Sequence, residues 1–191
     1  GDNYNFSAPI WVGDLVSSLD FEVLSTANNH AYDQGSAGVI STFDYFKNHT
    51  DILTVGTYKT REDTTKQHIL EINGIRFGLI AYAMGTNVKM EKDKEYMVSL
   101  YKQSGSNSVT AEDKARMKEE IESLNRNVDV TILLMHWGSE YTFEPNETQK
   151  ELAHFFNSLG VDIIVGNHSH NIQPIEWILG ENKTLVYYSL G

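Results

Sequence analysis

Three short apolar runs in this chain each break off into a polar turn that carries histidine, and helical segments separate them. Phe21–Ser25 runs into Ala27-Asn28-Asn29-His30, with Asp33 close behind. Val128–Met135 runs into His136-Trp137-Gly138, followed by Glu140. Val161–Val165 runs into Gly166-Asn167-His168-Ser169-His170. Apolar strands alternating with helices indicate an α/β layered sheet, and open α/β sheets gather ligands beyond the carboxyl ends of their strands. Of the 7 histidines, His30, His136, His168 and His170 fall at such ends, a pattern that scattered histidines would not give.

The remaining segments fit the same class. Pro9 opens a helix whose apolar side holds Ile10, Trp11, Leu15 and Leu19. Gly35 to Asn48 reads as a helix through Val39, Phe43 and Phe46, followed by a strand at Ile52–Val55. His68–Ile72 and Ile75–Ala81, joined by Asn73-Gly74, form a hairpin. Thr110 and Asp113 resemble a capping box that opens a helix with Met117, Ile121 and Leu124 inward. Pro145 and the pair Asn146/Gln149 open another helix, closed by Gly160, and a hairpin through Gly180 ends at Leu190. The polar stretch Thr86–Ser108 lacks periodicity and reads as an insertion or lid. No boundary divides the chain, so residues 1–191 are expected to form one domain.

Charge narrows the partners. The 15 Lys+Arg against 26 Asp+Glu leave a net charge of −11, which repels nucleic acid and anionic membrane surfaces. Phosphate substrates stay possible because bound divalent cations dominate the field of a local site. With 0 cysteines, disulfides, thiolate zinc sites and cysteine nucleophiles are excluded. No apolar run approaches the roughly 20 residues that span a bilayer. The chain starts at Gly1 without Met and carries no signal peptide, so a trimmed chain is expected.

The three turns have compatible chemistry. Neutral imidazole suits zinc, iron, manganese or nickel, and Asn or carboxylate oxygens complete harder sites. The two rings of His168 and His170 cannot both aim at one point if the strand simply continues, and can instead serve two metals roughly 3.5–4 Å apart, the spacing of two-metal hydrolases. Each motif also has a plainer reading. A lone His-x-His is often structural, Asn28-Asn29 could be only a turn, and His136-Trp137 could be a packed pair at a strand end. Their recurrence in three strand-end turns favours a site. His49 at a helix end, His68 at the start of a hairpin strand and His154 inside a helix look ordinary.

At these residues the sequence resembles the CapA family, bacterial poly-γ-glutamate capsule biosynthesis proteins related to calcineurin-like metallophosphoesterases. The resemblance runs through Ala27-Asn28-Asn29-His30-Ala31-Tyr32-Asp33-Gln34-Gly35, then His136-Trp137-Gly138-Ser139-Glu140-Tyr141. It continues through Gln149 and Ala153, Gly160-Val161-Asp162, Val165-Gly166-Asn167-His168-Ser169-His170, Gln173-Pro174 and Tyr188-Ser189-Leu190-Gly191. It implies a layered α/β/β/α sandwich of the metallophosphoesterase type, incomplete at both ends. It also implies that Asn29, His136 and His168 are ligands of one metal, His170 a ligand of a second, and His30 the catalytic acid that protonates the leaving oxygen. The cofactors would be divalent ions (Mn, Fe or Zn), two in the intact protein. Asp33 and Glu140 would orient His30 and His136.

The implied function is poly-γ-glutamate capsule biosynthesis with a metal-dependent, phosphoesterase-like site. The alternatives are a non-catalytic binding or scaffold component of a polymer-export assembly, and a metal-dependent γ-glutamyl amide hydrolase or transferase. Expected partners are an anionic polymer or a phosphate-containing small molecule, together with capsule synthesis and export membrane proteins. Neither nucleic acid nor membrane contact by this chain is expected. The expected place is the extracellular face of the bacterial cell membrane, reached through an anchor outside this chain.

Overall fold

The computed structural model of the chain describes residues 5–102 and 108–191. Its main sheet has six strands: β3 (His68–Ile72), β4 (Ile75–Ala83), β5 (Val130–His136), β6 (Ile163–Asn167), β7 (Ile175–Leu179) and β8 (Lys183–Tyr187). The spatial order is β3-β4-β5-β6-β8-β7, with β4, β5, β6 and β8 parallel and an antiparallel hairpin partner at each edge. A second, two-stranded parallel sheet pairs β1 (Val23–Ser25) with β2 (Leu53–Val55). The helices are α1 (Ile10–Ser17), α2 (Gly35–His49), α3 (Ala111–Asn125) and α4 (Glu147–Ser158).

Strand alternation sorts the side chains between two cores. On one face of the main sheet, Leu133, Met135, Ile164 and Val186 meet Met117 and Ile121 of α3 and Leu152 and Phe156 of α4, all fully buried. Each such side chain contributes roughly 1.5–3 kcal/mol on burial. On the other face, Leu79 and Ala81 of β4 meet Ala27 and Val55 of the small sheet, with Val39 of α2 beyond. The layers therefore run helix, sheet, sheet, helix, as the family resemblance implied. Gly56 permits the close approach of the sheets. Its φ is +110°, and a Cβ there would lie 2.6 Å from the Ala27 Cβ and 2.9 Å from the Ala81 Cβ. Among the described residues, no helix is long and apolar enough to cross a membrane.

The capping boxes form as read. The Thr110 hydroxyl accepts from the Asp113 N–H at 3.1 Å, and the Asn146 side chain accepts from the Gln149 N–H at 3.0 Å. Three expectations change. First, α1 buries none of its residues: Gly13 faces the Tyr45 ring, and Ile10, Trp11, Leu15 and Leu19 are exposed. Second, the stretch read as a lid enters the core at Met97–Tyr101, because the N–H of Ser99 donates to the Gly56 carbonyl and that of Ala83 to the Ser99 carbonyl. Residues 103–107 of that stretch lie outside the described residues. Third, β5 and β6 run further than read, through His136 and Asn167, because the Trp137 N–H donates to the Asn167 carbonyl at 3.1 Å and prolongs the ladder.

One edge strand holds an unusual imidazole. His68 has a buried Nε2 with no hydrogen-bond partner, and its ring lies near Tyr58 with centroids 6.4 Å apart. Burial pushes its pKa below the ordinary 6.5. Over that range the unfolded chain binds the proton more readily, so stability is fully present above the unfolded pKa and declines as pH falls below it. In urea titrations, the wild-type midpoint should therefore drop more between about pH 7 and about pH 5 than that of His68→Phe. Equal drops in the two proteins would show that His68 titrates as freely as in the unfolded chain.

Candidate metal and phosphoester site

The parallel register of the main sheet aligns Ala83 with His136 and His136 with Asn167 at the strand ends. His136 points to the small-sheet side, where the turn after β1 presents Asn29. The imidazole lies between two amide oxygens: Nδ1 is 2.7 Å from Asn167 Oδ1 and Nε2 is 2.9 Å from Asn29 Oδ1. His168 packs against the same ring with centroids 4.5 Å apart. Asn29, His136 and His168 thus converge.

Burial, assisted by the neighbouring His168, pushes the His136 pKa down to about 4, so the ring is neutral near pH 7. A neutral imidazole has a single N–H. Flanked by two amide oxygens, the ring can donate to only one of them; with the proton on Nδ1 and given to Asn167, the Nε2 lone pair faces the lone pairs of the Asn29 oxygen. Two such acceptors turned on each other repel unless a cation lies where both are directed. The Asn29 oxygen and His136 Nε2, with His168 packed beside them, are donors that could hold a divalent ion. Burial also lowers the pKa of His168. Among the described residues, no three His, Asp or Glu side chains form a metal-holding group by themselves.

His30 stands beside this cluster. Its Nδ1 is 2.7 Å from Asp33 Oδ2, and the same oxygen accepts from the Phe6 N–H at 2.8 Å. Asp33 is buried, and Phe6 meets the His30 ring edge-on with centroids 4.6 Å apart. Asn28 makes the turn itself, its side-chain oxygen accepting from the His30 N–H at 2.9 Å. The turn reading of Asn28-Asn29 therefore holds at Asn28.

His170 diverges from the cluster. Its ring stacks on Tyr141 and its Nε2 is 3.9 Å from Glu140 Oε1. His168 and His170 have ring centroids 6.2 Å apart. Both lie at positive φ, 108° and 56°, as does Tyr141 at 60°, a concentration of backbone strain typical of functional turns. Glu140 thus pairs with His170, and the acceptor beside His136 is Asn167. That role escaped the sequence reading because it depends on strand register. Asn87, from the stretch read as a lid, also reaches His30 and Asn29.

Behind the site, Trp137 is fully buried and its Nε1–H donates to the Tyr188 carbonyl at 2.9 Å. Gly166 lies directly against this pair. A Cβ there would sit 2.1 Å from the Tyr188 oxygen and 2.3 Å from Trp137 Nε1. The Gln149 amide donates to Gln173 Oε1 at 2.9 Å, and Gln173 Nε2 donates to the Thr142 and Glu144 carbonyls, which ties the helix α4 start to the loop after Glu140.

The layered fold, with polar, histidine-bearing turns at its strand ends, is shared with solved structures. A Staphylococcus aureus protein assigned as a 5′-nucleotidase and solved with alpha-ketoglutarate superposes with a TM-score of 0.57 at 12% identity, covering 91% of this chain and 33% of its own. A hypothetical protein from Thermus thermophilus gives a TM-score of 0.53 at 14% identity, covering 94% and 57%. Residues 1–191 match the family described as bacterial capsule synthesis protein PGA_cap, and the chain belongs to that family. The PGA biosynthesis protein CapA of Bacillus subtilis (strain 168) is 30% identical over 180 residues, 93% of this chain and 43% of that protein. The capsule biosynthesis protein CapA of Bacillus anthracis is 29% identical over 189 residues, 99% of this chain and 44% of that protein. The chain thus spans less than half the length of these two relatives.

Proposed function

We propose that the intact protein acts in poly-γ-glutamate capsule synthesis through a divalent-metal site of phosphoesterase type, held by Asn29, His136 and His168. The neutral His136 ring, with a lone pair turned toward the Asn29 oxygen beside His168, carries this reading. Divalent cations, when bound, supply Lewis-acid polarisation of a phosphoryl oxygen and a hydroxide nucleophile near neutral pH. The protein's own groups do the rest. Asn167 fixes the tautomer of His136, Asp33 holds His30 by Nδ1, and His30 donates a proton from Nε2 to the departing oxygen. Phe6 shields the His30 ring on one side. His170, paired with Glu140, belongs to a second metal position. The ions would be Mn, Fe or Zn, and the ligand an anionic polymer or a phosphate-bearing molecule. The protein would work at the outer face of the cell membrane, beside capsule synthesis and export proteins.

Calorimetric titration of the intact protein with Mn²⁺ and Zn²⁺, beside a His136→Ala/His168→Ala double variant, tests the site. Saturable binding should be present in the wild type and lost in the double variant. Equal binding in both would move the metal elsewhere. A second reading, a non-catalytic scaffold component, draws on an exposed apolar row at the β7 edge formed by Ile172, Ile175, Trp177 and Leu179. Turnover of bis(4-nitrophenyl) phosphate with added Mn²⁺ separates the two, since a scaffold would show none.

A further inference from the structure

We propose that Asn87 is a positioning residue of this site, setting both the Asn29 amide and the His30 ring. The inference rests on the metal-site reading above. The segment after β4 is strapped across two of the site-bearing turns. The Met84 N–H donates to the His136 carbonyl at 3.0 Å, and the Asn87 N–H donates to the Asn29 carbonyl at 2.7 Å. Further along, the Ser36 hydroxyl at the start of α2 reaches both oxygens of Glu91 at 3.3 Å. A short turn, in which the Thr86 hydroxyl donates to the Val88 carbonyl at 2.9 Å, fixes the direction in which Asn87 leaves the backbone.

The Asn87 side chain then meets two functional groups with opposite ends of one amide. Its Oδ1 accepts from Asn29 Nδ2 at 3.4 Å, which turns the Asn29 oxygen toward His136 Nε2. Its Nδ2 lies 3.4 Å from His30 Nδ1 and 3.3 Å from Nε2. Near-equal spacing from both nitrogens of one ring places the amide over the ring face or its Cε1 edge, on neither lone-pair axis. Asn87 therefore confines the ring while leaving Nε2 free for proton transfer. Asp33 sets one edge of His30, Phe6 another and Asn87 a third. Asn87 itself is exposed, so these bonds contribute little to stability, and their effect is on geometry.

The test is Asn87→Ala in the intact protein, with Mn²⁺ affinity as the primary readout. Affinity should fall about 10–100-fold, the range seen when partners that orient metal ligands are removed. The kcat for bis(4-nitrophenyl) phosphate should fall with it. The melting temperature should move by no more than about 2 °C, since exposed substitutions shift stability by roughly 0.5 kcal/mol. Unchanged affinity and kcat would overturn the proposal, as would a lowered melting temperature with affinity intact, which marks a merely structural role. If the wild type binds no metal, the metal-site reading fails, and crystal structures of the two proteins decide the role of Asn87. Rotation of the Asn29 amide or the His30 ring in the variant would still support positioning, and unchanged orientations would overturn it.

Discussion

His30→Ala in the intact protein should lower phosphodiester turnover by about 10²–10⁴-fold, the usual contribution of a positioned general acid, while metal content stays at the wild-type level. The separation follows from geometry. His30 approaches Asp33, Phe6 and Asn87, whereas Asn29 is the residue of that turn that faces His136. Removing the imidazole would delete the proposed proton donor and leave Asn29, His136 and His168 in place. Loss of metal together with activity would make His30 a ligand and reverse the assignment. A fall in turnover of less than about tenfold would remove it from acid catalysis. Asp33→Asn, which keeps an oxygen opposite Nδ1 but not its charge, should show an intermediate loss with unchanged metal content.

Trp137→Ala should be the most damaging single change to stability. Truncating a fully buried aromatic costs about 3–5 kcal/mol, and the Tyr188 carbonyl left without its Nε1–H donor adds roughly 1–3 kcal/mol. Against a total stability of about 5–15 kcal/mol, this is a large fraction. At roughly 2–4 °C per kcal/mol for a chain of this size, the melting temperature should fall by about 8–30 °C. Trp137→Phe keeps most of the ring but not the N–H, and should show the smaller part of that loss. Thermal melts followed by circular dichroism would settle the matter. A shift under about 5 °C for the alanine variant would mean that the core re-packs around the gap.

Much of the site was legible because three apolar strands end in polar turns, and layered α/β folds gather such turns beyond the carboxyl ends of their strands. The meeting of Asn29, His136 and His168 was legible that way, and so was the Asp33 contact to His30, since a three-residue spacing keeps the pair within one turn. The pairing of His136 with Asn167 was hidden, because it depends on which residues of β5 and β6 stand side by side. Register is set by the whole ladder and leaves no mark on either short segment. The plain reading of His136-Trp137 as a packed pair holds for Trp137 alone. Adjacent strand residues face opposite ways, so the histidine enters the site while the tryptophan fills the core. The Thr86–Ser108 stretch misled because its buried run, Met97–Tyr101, is bonded to Gly56 and Tyr58 just after β2 and to Ala83 at the end of β4 without forming a long strand of its own. Polar flanks conceal it.

Gly166 has a bearing on how this protein would look in a saturation mutagenesis experiment. Every side chain there would begin with an atom overlapping the Tyr188 carbonyl and the Trp137 indole. The strand carrying Asn167 would be pushed from its neighbour, and His136 and His168 would lose their relative placement. A functional screen would therefore score Gly166 as intolerant as the histidines, although glycine offers no group to substrate or metal. Sensitivity at that position would measure the thickness of the sheet behind the chemistry. Only a stability assay run beside the activity screen would distinguish such a spacer from a reacting group.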